Sequence, residues 1–285
     1  MEKLVYLNGI LIPQDEAKIS ALDYGFLFGY GLFETMRAYD GKIFRLAGHL
    51  ERLRISAGEL GIEADIQSWS RAVDDTLRAN GLKEARVRLT LSPGQGELAP
   101  DLRSCTRPTL LVAATEYRPY PQEVYDRGWK AIVSSIRRNS RSPVPGMKTA
   151  NFLESLLARR EARASGADDA VLLNDRGLVA EASSSNIFLV RGGTLKTPRR
   201  DSGILPGITR SIVLELAAQL NIPAQEGEVT PVELMESDEA FITNSMIEIM
   251  PLTAVSGKAL ASRKVGLITQ RLIEAYKSLV QKETG

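Results

Sequence analysis

The sequence predicts an α+β protein with mixed, largely antiparallel sheets and flanking helices. Short apolar runs joined by tight turns predict strands that pair in hairpins, and apolar residues spaced three or four apart predict amphipathic helices. The two kinds of segment follow one another in mixed order along the 285 residues, which is typical of the α+β class. A chain of this length favours one large domain or two modest ones.

The N-terminal part contains two predicted hairpins, two helices and two further strands. Asn8-Gly9 is the strongest two-residue turn signal in the chain, and Asp40-Gly41 marks the second hairpin. Gly61 and Gly81 each follow a segment with helical apolar spacing and should end it. The predicted elements are 4–7 with 10–12, 31–37 with 42–44, helices 46–60 and 66–80, and strands 85–91 and 108–115.

A change of composition at residues 116–121 predicts a boundary. Two prolines, Pro119 and Pro121, favour extended backbone over helix there. We expect a smaller N-terminal domain over 1–117, a linker over 118–127 and a larger domain over 128–285. The predicted elements of that larger domain are helices 150–165, 208–220 and about 264–281, a polar loop over 137–146, and strands 129–136, 169–173, 178–181, 185–190, 239–243 and 247–255.

Composition excludes several classes of function. The net charge is +1, which argues against nucleic acid or an acidic membrane as partner. The one cysteine cannot form an intrachain disulfide, and no run approaches the ~18 apolar residues of a membrane span, so we expect a cytoplasmic location. With one histidine in the chain, a histidine-rich metal site is not expected. Chemistry should depend on lysine, carboxylates or a cofactor.

Two charged residues stand out from their neighbours. Lys148 lies between a proline-rich loop and a helix with an apolar face, and a buried lysine has a lowered pKa and can attack an aldehyde. Glu181 ends a strand beside a cluster of small polar residues, where a carboxylate could keep a heterocyclic nitrogen protonated. Taken alone, a solvated loop lysine and an exposed strand-end acid are the commoner explanations.

A third candidate is the segment 203–210, where small residues lead directly into a helix. A helix N-terminus has unpaired N–H groups and the positive end of the dipole, which suits phosphate, although ordinary capping explains most such segments. Retaining a dianion also needs a cation, and Arg52 on the 46–60 helix is a candidate, unless it is a solvated neighbour of Glu51.

These signals occur in an order that resembles the class IV aminotransferases, the fold-type IV enzymes of pyridoxal 5′-phosphate (PLP). That family includes branched-chain aminotransferases, D-amino-acid aminotransferases and 4-amino-4-deoxychorismate lyases. The resemblance covers nearly the whole chain and implies the two-domain fold-type IV architecture. Its motifs here are Phe28-Gly29 to Phe33-Glu34, His49-x-x-Arg52-Leu53, the Lys148 loop, Glu181 with 185–188, 203–210, and Thr243-Asn244-Ser245 with Glu248-Ile249.

The resemblance implies a role for each matching residue. Lys148 is the catalytic lysine, which binds PLP covalently and moves the substrate proton, and Glu181 pairs with the pyridine nitrogen. The implied phosphate ligands are Arg52, Ile208, Thr209 and Ser245. Leu205 packs on the cofactor ring. The implied substrate contacts are Phe33, Thr35, Arg88 and Met246.

The family resemblance leaves the activity open among related reactions. An aminotransferase that moves an amino group between a branched-chain-like L-amino acid and a 2-oxo acid is the leading hypothesis, and a D-amino acid is the alternative donor. Thr35 is similar to a threonine of the lyase branch, so aminodeoxychorismate lyase is the runner-up. Phe152 stands where branched-chain enzymes often have a tyrosine. An inactive binding protein is a hypothesis from another class. The family also implies a homodimer.

Overall fold

The computed structural model describes residues 2–105, 107–261 and 265–285. The chain forms two compact units. The first contains Met1–Arg118, Met147–Asn151 and Lys282–Gly285, and the second contains Pro119–Gly146 and Phe152–Gln281. A short segment around Lys148 therefore belongs to the first unit, although it lies far along the sequence from the rest of that unit.

Within the described residues, the first unit is built on a six-stranded sheet and three α-helices. Every strand pair in this sheet is antiparallel, in the order β2-β1-β6-β5-β3-β4. Its elements are β1 Leu4–Leu7, β2 Ile10–Pro13, α1 Tyr24–Leu27, β3 Leu32–Tyr39, β4 Lys42–Ile43, α2 Leu46–Glu59, α3 Ile66–Ala79, β5 Ala85–Ser92 and β6 Thr109–Glu116.

Alternation along β3 and β5 gives this sheet two different faces. Leu32, Met36 and Leu89 point toward α2 and α3 and form the core with Leu53 and Trp69. Because successive side chains of a strand point to opposite faces, the residues between them lie on the other side of the sheet. The predicted Asn8-Gly9 hairpin is confirmed, and both turn residues have positive φ, as this turn type requires.

The second unit is built on a nine-stranded mixed sheet. Eight strands follow the order β12-β11-β10-β13-β14-β7-β8-β9, and β15 pairs with β14. Its elements are α4 Gln122–Arg127, β7 Trp129–Arg138, α5 Leu153–Ala164, β8 Asp169–Asn174, β9 Val179–Ala182, β10 Asn186–Arg191, β11 Thr194–Pro198, α6 Ile208–Gln219, β12 Ala224–Gly227, α7 Pro231–Met235, β13 Glu239–Asn244, β14 Glu248–Val255, β15 Lys258–Ala259 and, as far as Gln281, α8 Leu267–Thr284.

Three strand pairs of this sheet are parallel: β7 with β8, β7 with β14, and β11 with β12. The remaining pairs are antiparallel, so the prediction of mixed, largely antiparallel sheets with flanking helices is confirmed. Helix α5 packs on β7 and β8 through Ala158, Ala162 and Leu172.

Several element boundaries differ from the sequence prediction. The helix expected from residue 150 begins at Leu153, because the amide of Ala150 donates to Gly31 O at 2.7 Å and Thr149 bridges Leu32. The expected linker contains helix α4. The final helix begins at Leu267, and its expected start at residue 264 lies outside the described residues. Within the described chain, the structure contains no helix with the length and apolarity of a membrane span.

Candidate active site

In the first unit, the Lys148 segment lies along the beginning of β3. Lys148 O accepts a hydrogen bond from Phe33 N at 2.8 Å, and Ala150 N donates to Gly31 O, just before β3, so that Thr149 forms an isolated bridge with Leu32. Strand β4 pairs with β3 only at Ala38 and Tyr39, so the lysine segment covers the other end of the same edge. The Nζ of Lys148 lies 4.6 Å from the centroid of the Phe33 ring. Lys148 is half-buried, as a lysine with reduced solvation requires.

The same region of β3 carries a cluster of predicted substrate contacts on the sheet face away from α2 and α3. The guanidinium carbon of Arg88 lies 3.8 Å from the Phe33 ring centroid, a cation–π distance. Thr35 is the cross-strand partner of Arg88. Three predicted substrate contacts, Phe33, Thr35 and Arg88, are therefore neighbours on one sheet face.

On the opposite face of β3, Glu34 forms a buried ionic cluster with two residues of α2. Its carboxylate accepts hydrogen bonds from Arg52 Nε at 2.8 Å and Nη2 at 2.6 Å, and from His49 Nδ1 at 2.7 Å. Burial alone would raise the pKa of Glu34, but the charge of Arg52 and the bonds from His49 and Arg52 outweigh it and hold the pKa at about 2.

Burial lowers the pKa of His49 despite the bond to Glu34, and the positive charges of Arg52 and Lys148 lower it further. His49 is therefore neutral near pH 7. Since an ionised carboxylate only accepts hydrogen bonds, Nδ1 of His49 carries the proton. The cluster thus contains one anion, one cation and one neutral ring.

In the second unit, Glu181 lies on β9 and is almost fully buried. Its Oε1 accepts a hydrogen bond from Arg138 Nη2 at 3.0 Å. Its Oε2 accepts hydrogen bonds from the backbone N of Leu205 at 3.1 Å and from Asn186 Nδ2 at 3.3 Å. Donors to both oxygens, one of them cationic, favour the ionised form of the acid.

Arg138 is held by the same part of the fold. Beside Glu181, its guanidinium contacts Ser155 Oγ at 3.2 Å and Glu154 Oε2 at 3.3 Å, both on α5. Arg138 is not among the predicted site residues because the sequence predicts a polar loop over residues 137–146, whereas β7 continues to Arg138.

The predicted phosphate segment leads into α6, as expected. Gly207 is the N-cap and provides no side-chain hydrogen bond. The first backbone bond of the helix runs from Ser211 N to Gly207 O at 3.0 Å, so the amides of Ile208 and Thr209 precede the helical ladder. A Cβ on Gly207 would lie 1.9 Å from Asn186 Oδ1. Asn186 Nδ2 also donates to Leu205 O at 2.8 Å, and this close approach fixes the turn.

The turn between β13 and β14 carries the remaining predicted residues of this unit. Asn244 Oδ1 accepts hydrogen bonds from Met246 N at 2.8 Å and Ile247 N at 3.0 Å, and its Nδ2 donates to Ser185 Oγ at 2.8 Å. These bonds fix the backbone that presents Ser245 and Met246. Thr243 Oγ1 is buried, and within the described chain it has no hydrogen-bond partner.

The residues present fit PLP. Glu181 is arranged as a buried anion, which suits a protonated pyridine nitrogen. The start of α6 has no side-chain cap, and among the residues that the structure describes the buried Thr243 hydroxyl has no hydrogen-bond partner; both features suit a phosphate group. Among the described residues, no group of three or more His, Cys, Asp or Glu residues could hold a metal ion.

The predicted site residues lie in both units. The first unit carries Phe33, Thr35, Arg52, Arg88 and Lys148. The second unit carries Glu181, Leu205, Ile208, Thr209, Ser245 and Met246. Their individual roles stay predictions. Arg138 and Asn186 join them as residues that hold Glu181, and Glu34 as the residue that holds Arg52.

Comparison with known proteins establishes the class. The family described as "Amino-transferase class IV" matches residues 31–255, which is most of the chain. This chain belongs to the class IV amino-transferase family and is an enzyme of that family. The predicted family, fold class and enzyme class are confirmed.

Individual relatives cover the chain almost end to end. A Methanocaldococcus jannaschii protein named "Putative branched-chain-amino-acid aminotransferase" is 39% identical over 98% of this chain and 96% of its own length. An aminodeoxychorismate lyase of Bacillus subtilis is 32% identical over 98% of this chain and 95% of its own. The crystal structure of the branched-chain aminotransferase from Thermoproteus uzoniensis with norvaline superposes with a TM-score of 0.91, at 36% identity over 99% of this chain and 96% of that one.

Proposed function

We propose that this enzyme is a PLP-dependent aminotransferase that moves an amino group between a branched-chain-like L-amino acid and a 2-oxo acid. The observation that carries the proposal is the buried Glu181 carboxylate, which accepts hydrogen bonds from Arg138, Asn186 and the Leu205 amide. Such an acid stays ionised in a place where water is excluded. It therefore suits a cofactor that must carry a protonated ring nitrogen.

Each site residue has a proposed role. Lys148 binds the cofactor covalently and moves the proton at the substrate Cα. Glu181 pairs with the ring nitrogen, and Leu205 packs on the ring. Arg52, the amides of Ile208 and Thr209, the Thr209 hydroxyl and Ser245 hold the phosphate. Phe33, Thr35, Arg88 and Met246 contact the substrate, with Arg88 opposite its carboxylate.

The chemistry divides between the cofactor and the chain. When bound, PLP supplies a ring that withdraws electrons from the substrate Cα and stores the amino group between the two halves of the reaction. Lys148 contributes an amine whose Nζ is kept against the Phe33 ring, so it has less access to water than a surface lysine. Arg88, stacked on the same ring, contributes a guanidinium whose plane suits a carboxylate.

The test is a screen of amino donors read from the cofactor. L-Leucine, L-isoleucine, L-valine, L-glutamate and D-alanine are added singly to the purified holoenzyme without an acceptor. A branched-chain L-donor should convert the bound cofactor to pyridoxamine 5′-phosphate, and a 2-oxo acid should reverse the change. Conversion by D-alanine alone would move the proposal to D-amino acids. No conversion with any donor, together with no pyruvate from aminodeoxychorismate, would favour the inactive binding protein instead.

Aminodeoxychorismate lyase is the second candidate. Thr35, which is similar to a threonine of the lyase branch, is the cross-strand neighbour of Arg88 on the sheet face away from α2 and α3. A hydroxyl there could contact the substrate of a lyase. Release of pyruvate from aminodeoxychorismate in the absence of any amino acceptor, without conversion by the five donors, would establish the lyase.

We also propose that the enzyme acts on small molecules as a cytoplasmic homodimer. The one cysteine, Cys105, is free, which is compatible with a reducing compartment. Light scattering coupled to size-exclusion chromatography measures the assembly directly, and a mass near 31.2 kDa would identify a monomer and contradict the proposed dimer.

A further inference from the structure

In the first unit, Glu34 holds the guanidinium of Arg52 in a fixed orientation. Glu34 lies on β3 and Arg52 on α2, and the Glu34 carboxylate accepts hydrogen bonds from both Nε and Nη2 of the guanidinium. Two parallel hydrogen bonds fix the plane of a guanidinium as well as its position. Glu34 is completely buried and the Arg52 side chain is 10% exposed, so the surrounding core limits any alternative arrangement.

The pair does not serve to place a net positive charge at this position. The Glu34 carboxylate neutralises Arg52, and His49 in the same cluster is neutral. A long-range electrostatic trap for an anion would have left Arg52 without a buried acid beside it. The cluster instead fixes the orientation of the Arg52 guanidinium. Glu34 binds its Nε–Nη2 edge, and because the group is planar this also sets the direction of its Nη1 end.

We propose that Glu34 is a positioning residue that orients the Arg52 guanidinium toward the phosphate of the cofactor. This inference rests on the proposed function, in which Arg52 is a phosphate ligand. It extends that function by making the affinity for the phosphate group depend on a residue that does not touch it.

A positioning role and a charge-neutralising role of Glu34 predict opposite effects of Glu34→Gln on the affinity for phosphorylated ligands. If the carboxylate only neutralises charge, its removal leaves Arg52 more attractive to an anion, and phosphorylated ligands bind equally well or more tightly. If the carboxylate positions Arg52, the amide presents one donor to the guanidinium, breaks one of the two bonds and lets the group rotate. Phosphorylated ligands then bind more weakly.

The experiment measures the affinity of the full-length chain, freed of cofactor, for PLP and for pyridoxal, which lacks the phosphate. For Glu34→Gln we expect the dissociation constant of PLP to rise about 10-fold or more while that of pyridoxal changes far less. The ratio of the two constants is the decisive quantity, because general damage to the fold would weaken both ligands together. Inorganic phosphate should also compete less well with PLP in this variant.

The chain supplies a matched control on the same helix. Glu51 and Arg54 form a bidentate pair of similar geometry, with both bonds at 2.7 Å, but both side chains are about half exposed. Glu51→Gln should leave the ratio of PLP to pyridoxal affinity unchanged. Glu34→Asp, which keeps the charge and shortens the side chain, should lower PLP affinity less than Glu34→Gln and covers the case in which the amide variant does not fold.

Arg52→Ala separates this inference from the proposed function. If Arg52→Ala leaves the affinity ratio unchanged, Arg52 is not a phosphate ligand and that part of the proposed function fails. If Arg52→Ala lowers the ratio of PLP affinity to pyridoxal affinity but both Glu34 variants keep that ratio at the wild-type value, Arg52 retains its role as a phosphate ligand. Only the positioning role of Glu34 is then overturned.

Discussion

Arg138 and Glu181 form a buried ion pair in the second unit, with Arg138 Nη2 3.0 Å from Glu181 Oε1. The pair joins the end of β7 to β9, two strands that lie on either side of β8 in the sheet. Because the acid is proposed to meet the cofactor nitrogen, the arginine has two effects: it keeps the carboxylate ionised, and it fixes the carboxylate in the sheet.

Replacing Arg138 by methionine should destabilise the enzyme and reduce its activity. Removal of one member of a buried pair leaves an uncompensated charge and costs about 3–5 kcal/mol. Urea denaturation measures the loss, with Arg137→Met, which alters an exposed neighbour, as control. The cost should shrink when Glu181→Gln is already present. Equal stability of the two arginine variants would show that the pair is not important for the fold.

Replacing Lys148 by alanine should remove the covalent attachment of the cofactor and lower the rate by at least about 10²-fold. Borohydride treatment followed by mass spectrometry should detect a phosphopyridoxyl group on the peptide that contains Lys148 in the wild type, and none in Lys148→Ala. Lys83→Ala is the control because the Lys83 side chain is 80% exposed. A modified peptide from another part of the chain would contradict the assignment of Lys148.

Replacing Gly207 by alanine should weaken cofactor binding, because the added Cβ would lie 1.9 Å from Asn186 Oδ1. Relief of that contact must move Asn186 or the start of α6, at a cost of about 1–3 kcal/mol. Equilibrium titration with PLP and thermal denaturation measure both effects. Gly58→Ala has open space around the new Cβ within α2 and should be neutral or stabilising. An unaltered PLP affinity in Gly207→Ala would show that the turn adapts freely.

The Glu34 cluster should make stability depend on pH in acid. The folded chain holds the Glu34 pKa at about 2, below its ordinary 4.5, so folding favours the charged form. Its contribution is complete above pH 4.5 and is lost as the pH falls toward 2, by about 3 kcal/mol in all. The difference in unfolding free energy between wild type and Glu34→Gln should therefore narrow below pH 4.5. A difference that stays constant from pH 7 to 3 would contradict this.

Much of this architecture could be predicted from local patterns. The hairpin at Asn8-Gly9 and the glycine-terminated helices α2 and α3 follow from turn chemistry and apolar spacing within a few residues. The motif residues Lys148 and Glu181 were predicted because family resemblance depends on the order of residues along the chain. Both kinds of information are contained in the sequence itself.

The features that were missed depend on contacts between distant residues. Arg138 belongs to a strand because it pairs with Asn174 across a parallel sheet, and the polar sequence after Ile136 gives no local sign of that pairing. Strand β12 is largely exposed and polar, so it lacks the apolar run that predicts a strand, and its position is fixed by β11. The sequence predicts a helix from residue 150, but α5 begins at Leu153 because Ala150 N donates to Gly31 O, a bond between residues more than a hundred positions apart.

The assignment of residues 147–151 to the first unit has a consequence for biosynthesis. A ribosome that has released residues 1–118 has delivered all six strands of the first sheet, yet the edge of β3 still lacks the segment that binds Gly31 and Phe33. Domains usually fold as units during synthesis, but this one must wait for a further stretch of chain. Lys148, the proposed catalytic lysine, is thus added to a sheet whose six strands are already synthesised, so an N-terminal fragment ending at Arg118 would contain that sheet without the proposed catalytic amine.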